Sequence, residues 1–345
     1  MRASRLARLA LAAAVLALAS VARAATGLTT LPPPSGTGPV TVFYPTAAPS
    51  VDLRRGPFVI HAALDAPPSR GNGRLVVISH GSGGSPWPQA DLAMALADAG
   101  FIVAMPRHAG DNALDPGSPG PDSWKRRPKE VSQAIDAVTT DPRFAPLLDA
   151  RRVGVYGMSA GGLTALILAG AQWSPALFAA HCEAHLAEDF PACVGLATSL
   201  SGGTLDGLRM AVAQRVIHFR FDSQTELEGG YDPRIAAAVA AVPMAAPIDM
   251  ATLAHPRVPL GLVRAGRDAW LAPRWHIDAV RAACLSCVLL ADMPEAGHGS
   301  VLSPFPPDLA PREARLLDDP PGFDRRSLDG VYAAIVRFFL DNLRP

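Results

Sequence analysis

Short apolar runs alternate with longer stretches of helical period along most of this chain. Arg74-Leu75-Val76-Val77-Ile78-Ser79 is nearly all apolar and reads as a buried strand. Residues 91–99 have helical spacing, and Phe101-Ile102-Val103-Ala104-Met105 reads as the next strand. Residues 128–139 read as a helix with Pro128 in its first turn. Arg152-Val153-Gly154-Val155-Tyr156 is a further strand, followed by a helix of small residues over 162–169. The rhythm breaks over 171–215, which carries helical patches and a glycine pair. It resumes with strands at 234–242, 258–263 and 286–290, and a helix near 274–283. Residues 303–323 form a proline-rich loop, and 331–342 close the chain as an amphipathic helix. Two early runs, Val40-Thr41-Val42-Phe43-Tyr44 and Phe58-Val59-Ile60-His61-Ala62, read as an antiparallel opening. Such alternation predicts an α/β fold, a mostly parallel sheet with helices on both faces. Residues 171–230 then form a cap insertion. Function in such sheets collects at the carboxyl ends of the strands.

That rule directs attention to Gly157-Met158-Ser159-Ala160-Gly161, a G-x-S-x-G between a strand and a helix. A sharp strand-to-helix turn lifts the Ser159 hydroxyl clear of the sheet and aims the Ala160 N–H at the same space. The two glycines come too close together to carry side chains. His80-Gly81-Ser82-Gly83-Gly84 follows another strand, and its backbone can supply a second oxyanion donor at Ser82. No G-K-[ST] follows, which excludes a Walker loop. Asp268 follows the strand at 258–263, and His298, flanked by glycines, follows the strand ending near Leu290. The order Ser159, Asp268, His298 is that of a nucleophile, an acid and a general base on the α/β-hydrolase fold. Asp249 is the rival acid. His80 reads as ordering its loop. His108 reads as shaping the pocket floor, with substrate contact as the alternative. His181 and His185 have i, i+4 spacing, but His181-Cys182-Glu183-Ala184-His185 misplaces the glutamate for a zinc protease. Their reading is a surface or lid role, with a metal site as the rival.

Composition narrows the setting. The 345 residues suit one large domain, residues 25–345, behind an N-terminal export signal. Arg2, Arg5 and Arg8 precede an apolar stretch over 9–21 and the cleavage pattern Ala22-Arg23-Ala24. Cleavage of 1–24 removes four of the 31 basic residues and no acid, leaving 27 against 31 and a net charge of −4. No basic stripe supports nucleic-acid binding. No later segment predicts stable membrane insertion. Four cysteines after a signal favour disulfides, with Cys182–Cys193 and Cys284–Cys287 the simplest pairing and a redox role for the second pair the rival. Periplasmic or secreted localisation follows.

These residues resemble the predicted dienelactone hydrolases grouped with platelet-activating-factor acetylhydrolase-like α/β hydrolases. The resemblance is carried by Val77-Ile78-Ser79-His80-Gly81-Ser82-Gly83-Gly84, by Gly100 onward to Arg107-His108, by Arg127-Pro128 with Val131-Ser132, and by Arg151 through the elbow to Gly162. Asp232-Pro233-Arg234-Ile235 and Ala296-Gly297-His298 extend it, so it spans about residues 39 to 300. It implies a serine esterase with the same triad and no cofactor or metal. Dienelactone hydrolases proper use cysteine where this chain has Ser159, and the family's acid loop often has a longer gap than Gly266-Arg267-Asp268. The reading is a carboxylic-ester hydrolase of small or short-acyl esters. A serine peptidase or acyltransferase would use the same residues, and a silent binding protein would keep only the fold. Residues 171–215 carry Trp173, Leu177, Phe178 and Leu186 to line an acyl pocket. Glu183, Glu188 and Asp189 break their apolar face, so no activation at a lipid interface is expected.

Overall fold

The computed structural model describes residues 25–32, 37–195, 197–305, 314 and 317–344. The expected export signal and part of the expected proline-rich loop lie outside them. Twelve strands occur among the described residues. They are β1 (Ala25–Leu31), β2 (Val40–Thr46), β3 (Val51–Arg55), β4 (Phe58–Leu64), β5 (Leu75–Ser79), β6 (Ile102–Pro106), β7 (Val153–Met158), β8 (Gln172–Trp173), β9 (Ile235–Ala241), β10 (Ile248–Asp249), β11 (Leu260–Ala265) and β12 (Val288–Met293). Eight helices join them: α1 (Ala90–Asp98), α2 (Pro121–Thr140), α3 (Ala160–Leu168), α4 (Pro175–His185), α5 (Phe190–Val194), α6 (Asp206–Phe221), α7 (Ile277–Ala283) and α8 (Leu328–Asn342).

Ten strands form one sheet in the order β12-β11-β9-β7-β5-β6-β2-β1-β4-β3. From β12 to β6 every neighbouring pair is parallel. Alternate side chains feed two cores. Leu75 and Val77 of β5 join α2, α3 and the α4–α6 segment on one face, while Val76 and Ile78 join α1 and α8 on the other. Burial on both faces explains why β5, β6, β7 and β9 read as unbroken apolar runs, whereas β12 at the sheet edge is mostly exposed or half-buried. All nine residues of α3 are buried, so its small side chains suit a helix wedged on the sheet. At Gly154, an added Cβ would lie 2.7 Å from the Phe339 ring of α8.

The antiparallel opening differs from expectation. β2 and β4 do not pair. β1 lies between them, antiparallel to β2 and parallel to β4, and β3 hydrogen-bonds to β4 at the sheet edge. Helix α2 also begins earlier than predicted. Pro121 takes the first-turn position, and Pro128 sits inside the helix. An interior proline forfeits one backbone hydrogen bond. Burial of Trp124, Arg127, Val131 and Ile135 along the inward face holds this helix together regardless.

Helices α4, α5 and α6 lie between α3 and β9. Their base is the β8–β10 ribbon and a bridge from Trp173 to Glu228. Edge-on ring contacts run from Trp124 to Trp173 and Phe178, and from Phe178 to Phe221 of α6. Trp173, Phe178 and Leu186 are therefore buried in packing instead of lining an open acyl slot. Cys182–Cys193 and Cys284–Cys287 are at disulfide distance, 2.12 and 1.98 Å. Among the described residues no helix is long and apolar enough to cross a membrane.

Candidate active site

All six parallel strands end in loops on the same side of the sheet, and those loops hold the candidate residues. Ser159 follows β7 directly and has φ 59° and ψ −119°, a conformation costly for any residue with a Cβ. Its N–H donates to Ala241 O at the end of β9, and its C=O accepts from Leu163 and Met244. A Cβ on Gly157 would lie 1.8 Å from Gly161 O, and one on Gly161 would lie 1.9 Å from Ser79 O. The turn is thus tight enough to demand glycine at both places. Ser159 remains partly exposed.

Asp268 and His298 come together from the loops after β11 and β12. His298 Nδ1 lies 2.7 Å from Asp268 Oδ2. The other carboxylate oxygen, Oδ1, accepts from the N–H groups of Trp270 and Leu271, each at 2.8 Å. With Oδ1 saturated, Oδ2 is left to the imidazole, and an Nδ1–H donor leaves Nε2 with its lone pair. The loops are tied to each other by Gly266 N–H to Met293 O and Arg267 N–H to Ala296 O. Among the described residues no hydrogen bond joins Ser159 to His298. Such catalytic contacts are often long without substrate and tighten on binding. Asp249 is bonded to Ala251 N–H in its own turn instead.

The loop 80–84 lies beside Ser159. A Cβ on Gly81 would stand 3.4 Å from Ser159 Cβ. Among the described residues the N–H groups of Ser82 and Ala160 donate no hydrogen bond. The Ser82 hydroxyl is turned away, donating to Asp111 Oδ1 at 2.6 Å, as does Gly83 N–H at 2.9 Å. Arg127, fully buried, reaches from α2 to Asp111 Oδ2 at 2.8 Å and to His80 O at 2.5 Å. Burial works to raise the Asp111 pKa. Arg127 and hydrogen bonds from Ser82, Ser123 and Gly83 outweigh it and hold the carboxyl below its usual range. His80 donates from Nδ1 to Gly81 O and accepts His108 N–H at Nε2, so it is a neutral brace. Burial, His108 and Arg127 push its pKa well below 6.5.

Sequence reasoning passed over Asp111 as a ligand of this loop and Arg127 as its anchor. A signal was available. Trp124, Arg127 and Val131 share one helical face, and an arginine on an apolar face demands a buried partner.

His108 does not face substrate. It is fully buried, with Nε2 2.7 Å from Ser79 Oγ and Nδ1 2.6 Å from Glu130 Oε2. This is a second Ser-His-acid constellation, and none of its members is more than 4% exposed. Burial lowers the His108 pKa well below 6.5 and raises that of Glu130.

His181 meets Asp189 and His276, with each histidine Nε2 at 2.8 Å from Asp189 Oδ2. Their donor atoms lie within 4.8 Å of one another. The tautomer argues against a metal there. Ala245 N–H donates to His276 Nδ1 at 2.9 Å, which leaves the proton on Nε2, the atom a metal would need. Asp189 instead anchors the α4–α6 segment to the site. Its Oδ1 accepts Ala272 N–H, next to the two N–H groups held by Asp268. Burial would raise the Asp189 pKa, but the hydrogen bonds from His181 and His276 outweigh it and hold the carboxyl well below its usual range. His185 stacks on Trp275, ring centroids 3.7 Å apart. Two shallow clefts lie elsewhere, one beside Asn72, Leu147 and Asp149, the other beside Val288, Leu290 and Phe338.

The sheet order, the parallel core and the strained serine turn define the α/β-hydrolase fold. The chain is similar to a ferulic acid esterase from Streptomyces cinnamoneus, with a TM-score of 0.54 and 18% identity over 95% of this chain and 93% of that one. No family model matches the chain, and no curated protein does.

Proposed function

We propose that this chain is an exported carboxylic-ester hydrolase for small or short-acyl esters, acting through Ser159, His298 and Asp268. The observation that carries the reading is the Asp268 carboxylate, saturated on one oxygen by backbone and bonded through the other to His298 Nδ1. His298 Nε2 takes the Ser159 proton as Oγ attacks the ester carbonyl. The tetrahedral oxyanion rests on the N–H groups of Ala160 and Ser82. The intermediate collapses, the alcohol leaves with the proton from His298, and an acyl-Ser159 ester remains. Water, deprotonated by His298, repeats the sequence and releases the acid.

Within the fold we group the chain with the predicted dienelactone hydrolases and platelet-activating-factor acetylhydrolase-like enzymes. Residues 1–24 serve as the signal and 171–230 as the cap. Burial of Trp173 and Phe178 supports a short acyl site, because those rings are engaged in packing. The disulfide-distance cysteine pairs support export.

The test is a fluorophosphonate probe with mapping of the labelled residue, beside a panel of p-nitrophenyl esters, a feruloyl ester and peptides. Labelling at Ser159 is expected, with turnover that rises over the first acyl carbons, peaks at about two to six and then falls. A protein that neither labels nor turns over any ester is not this enzyme, and faster cleavage of peptides would make it a peptidase.

A further inference from the structure

Helix α6 is apolar on two opposite sides. Met210, Ala213, Ile217 and Phe221 pack inward on the core shared with α4. Leu205, Leu208, Val212, Val216 and Phe219 face solvent, 48–87% exposed. At about 3.6 residues per turn these five fall on one stripe, about 21 Å long. A helix apolar all round is ordinarily buried. The charge-broken face expected over 171–215 rests on Glu183, Glu188 and Asp189, which lie before α6, whereas 206–221 forms one continuous helix.

Charge and shape indicate what covers the stripe. Arg209 and Arg220 flank it on one side and Arg215 on the other, by the same helical spacing. The acids at the ends of the helix are engaged, Asp206 by Arg209 at 2.6 Å and Asp222 by His218. Among the described residues, Arg215 and Arg220 form no ion pair, and both are exposed. The outward surface is a single convex ridge of apolar side chains edged by guanidinium groups. A second copy laid on it would set arginine against arginine along the seam, because Arg209, Arg215 and Arg220 are the charged side chains of the helix that edge the stripe on both sides. A lipid surface fits both features, since the apolar side chains enter the acyl boundary and the arginines lie at the level of anionic headgroups. We propose that α6 docks the protein on an anionic lipid surface. This requires no turnover and is independent of the role of Ser159.

The experiment is co-sedimentation with phosphatidylcholine vesicles, with and without phosphatidylglycerol, of wild type and two variants in the same processed form. Any contribution from the apolar stretch over 9–21 then cancels. Wild type should bind the anionic vesicles about tenfold more than the neutral ones. Val212→Asp with Phe219→Asp should lose at least about tenfold of that binding. Arg215→Glu with Arg220→Glu should abolish the preference for anionic vesicles. All four substituted side chains are exposed, so unchanged melting temperature and unchanged hydrolysis of a soluble ester serve as controls of folding. Absence of wild-type binding overturns the proposal, as does undiminished binding by either variant. A wild-type dimer in light scattering that the Val212→Asp, Phe219→Asp variant dissociates also overturns it, and assigns the stripe to a second copy.

Discussion

Ser159 Oγ is the atom on which the proposed chemistry turns, and its backbone strain is maintained only because glycines at 157 and 161 let the chain close around it. Ser159→Ala should abolish ester turnover without unfolding, by several orders of magnitude in kcat. His298→Ala should be nearly as severe, and the two losses should not add. Steady-state kinetics of the single and double variants decide this, and a Ser159→Ala protein with near-normal activity would refute the nucleophile. Asp268→Asn should reduce kcat strongly, because Nδ1 then loses its carboxylate partner. Asp249→Asn should change little, since its side chain only caps a turn. These residues were legible because each stands beside glycines directly after an apolar run. Asp189 and His276 were not, because their importance lies in a partnership across 87 residues of sequence.

Among the elements, α2 and the α4–α6 segment each reach into the site with one buried charged side chain. Arg127→Met should leave Asp111 ionised and unpaired, cost about 3–5 kcal/mol of stability, and loosen the loop carrying Ser82. Adding Asp111→Leu should recover stability but not activity, because no charge is then stranded while the loop is still unpinned. Denaturation and kcat measured on both proteins separate the two effects. Asp189→Ala should release Ala272 and lower kcat on the order of tenfold with little change in KM. A change confined to KM would instead place Asp189 in substrate binding. The central parallel strands β5, β6, β7 and β9 were easy to read because burial on both faces makes them solidly apolar. β3 was missed because it is an edge strand, Val51-Asp52-Leu53-Arg54-Arg55, with mostly polar and exposed residues. Pro128 misled the start of α2 because tertiary burial outweighs a local preference. Helix α6 was not read as one helix, only as part of the helical patches over 171–215, because its two apolar faces blur the period that marks an amphipathic helix.

For the molecule as a whole, buried histidines set an acid limit. His80 and His108 have pKa values well below 6.5 in the fold, from burial first. Below about pH 6.5 the unfolded chain therefore binds protons that the native state refuses, and stability falls with pH. Each histidine contributes up to about 1.4 kcal/mol per pH unit. Glu130, raised by burial, opposes this at the acid end of the window. Melting temperatures between pH 7.5 and 5.5, on an about half-unit grid, should decline for wild type. The slope should be shallower for His80→Asn, and an unchanged slope would remove His80 from the account. The protein, if exported as proposed, should titrate no free thiol when denatured without reductant, and closing the Cys182–Cys193 loop should be worth about 2–3 kcal/mol. Four reactive thiols would refute both the pairing and export.

The Ser79–His108–Glu130 set gives the molecule an internal blank for its own chemistry. It repeats the residue types and spacings of a working triad, with no route for a reagent to reach it. An active-site titrant should therefore stop at one equivalent per chain, however long the exposure. That plateau would measure how far solvent access, rather than the alignment of three side chains, separates a reactive serine from an inert one.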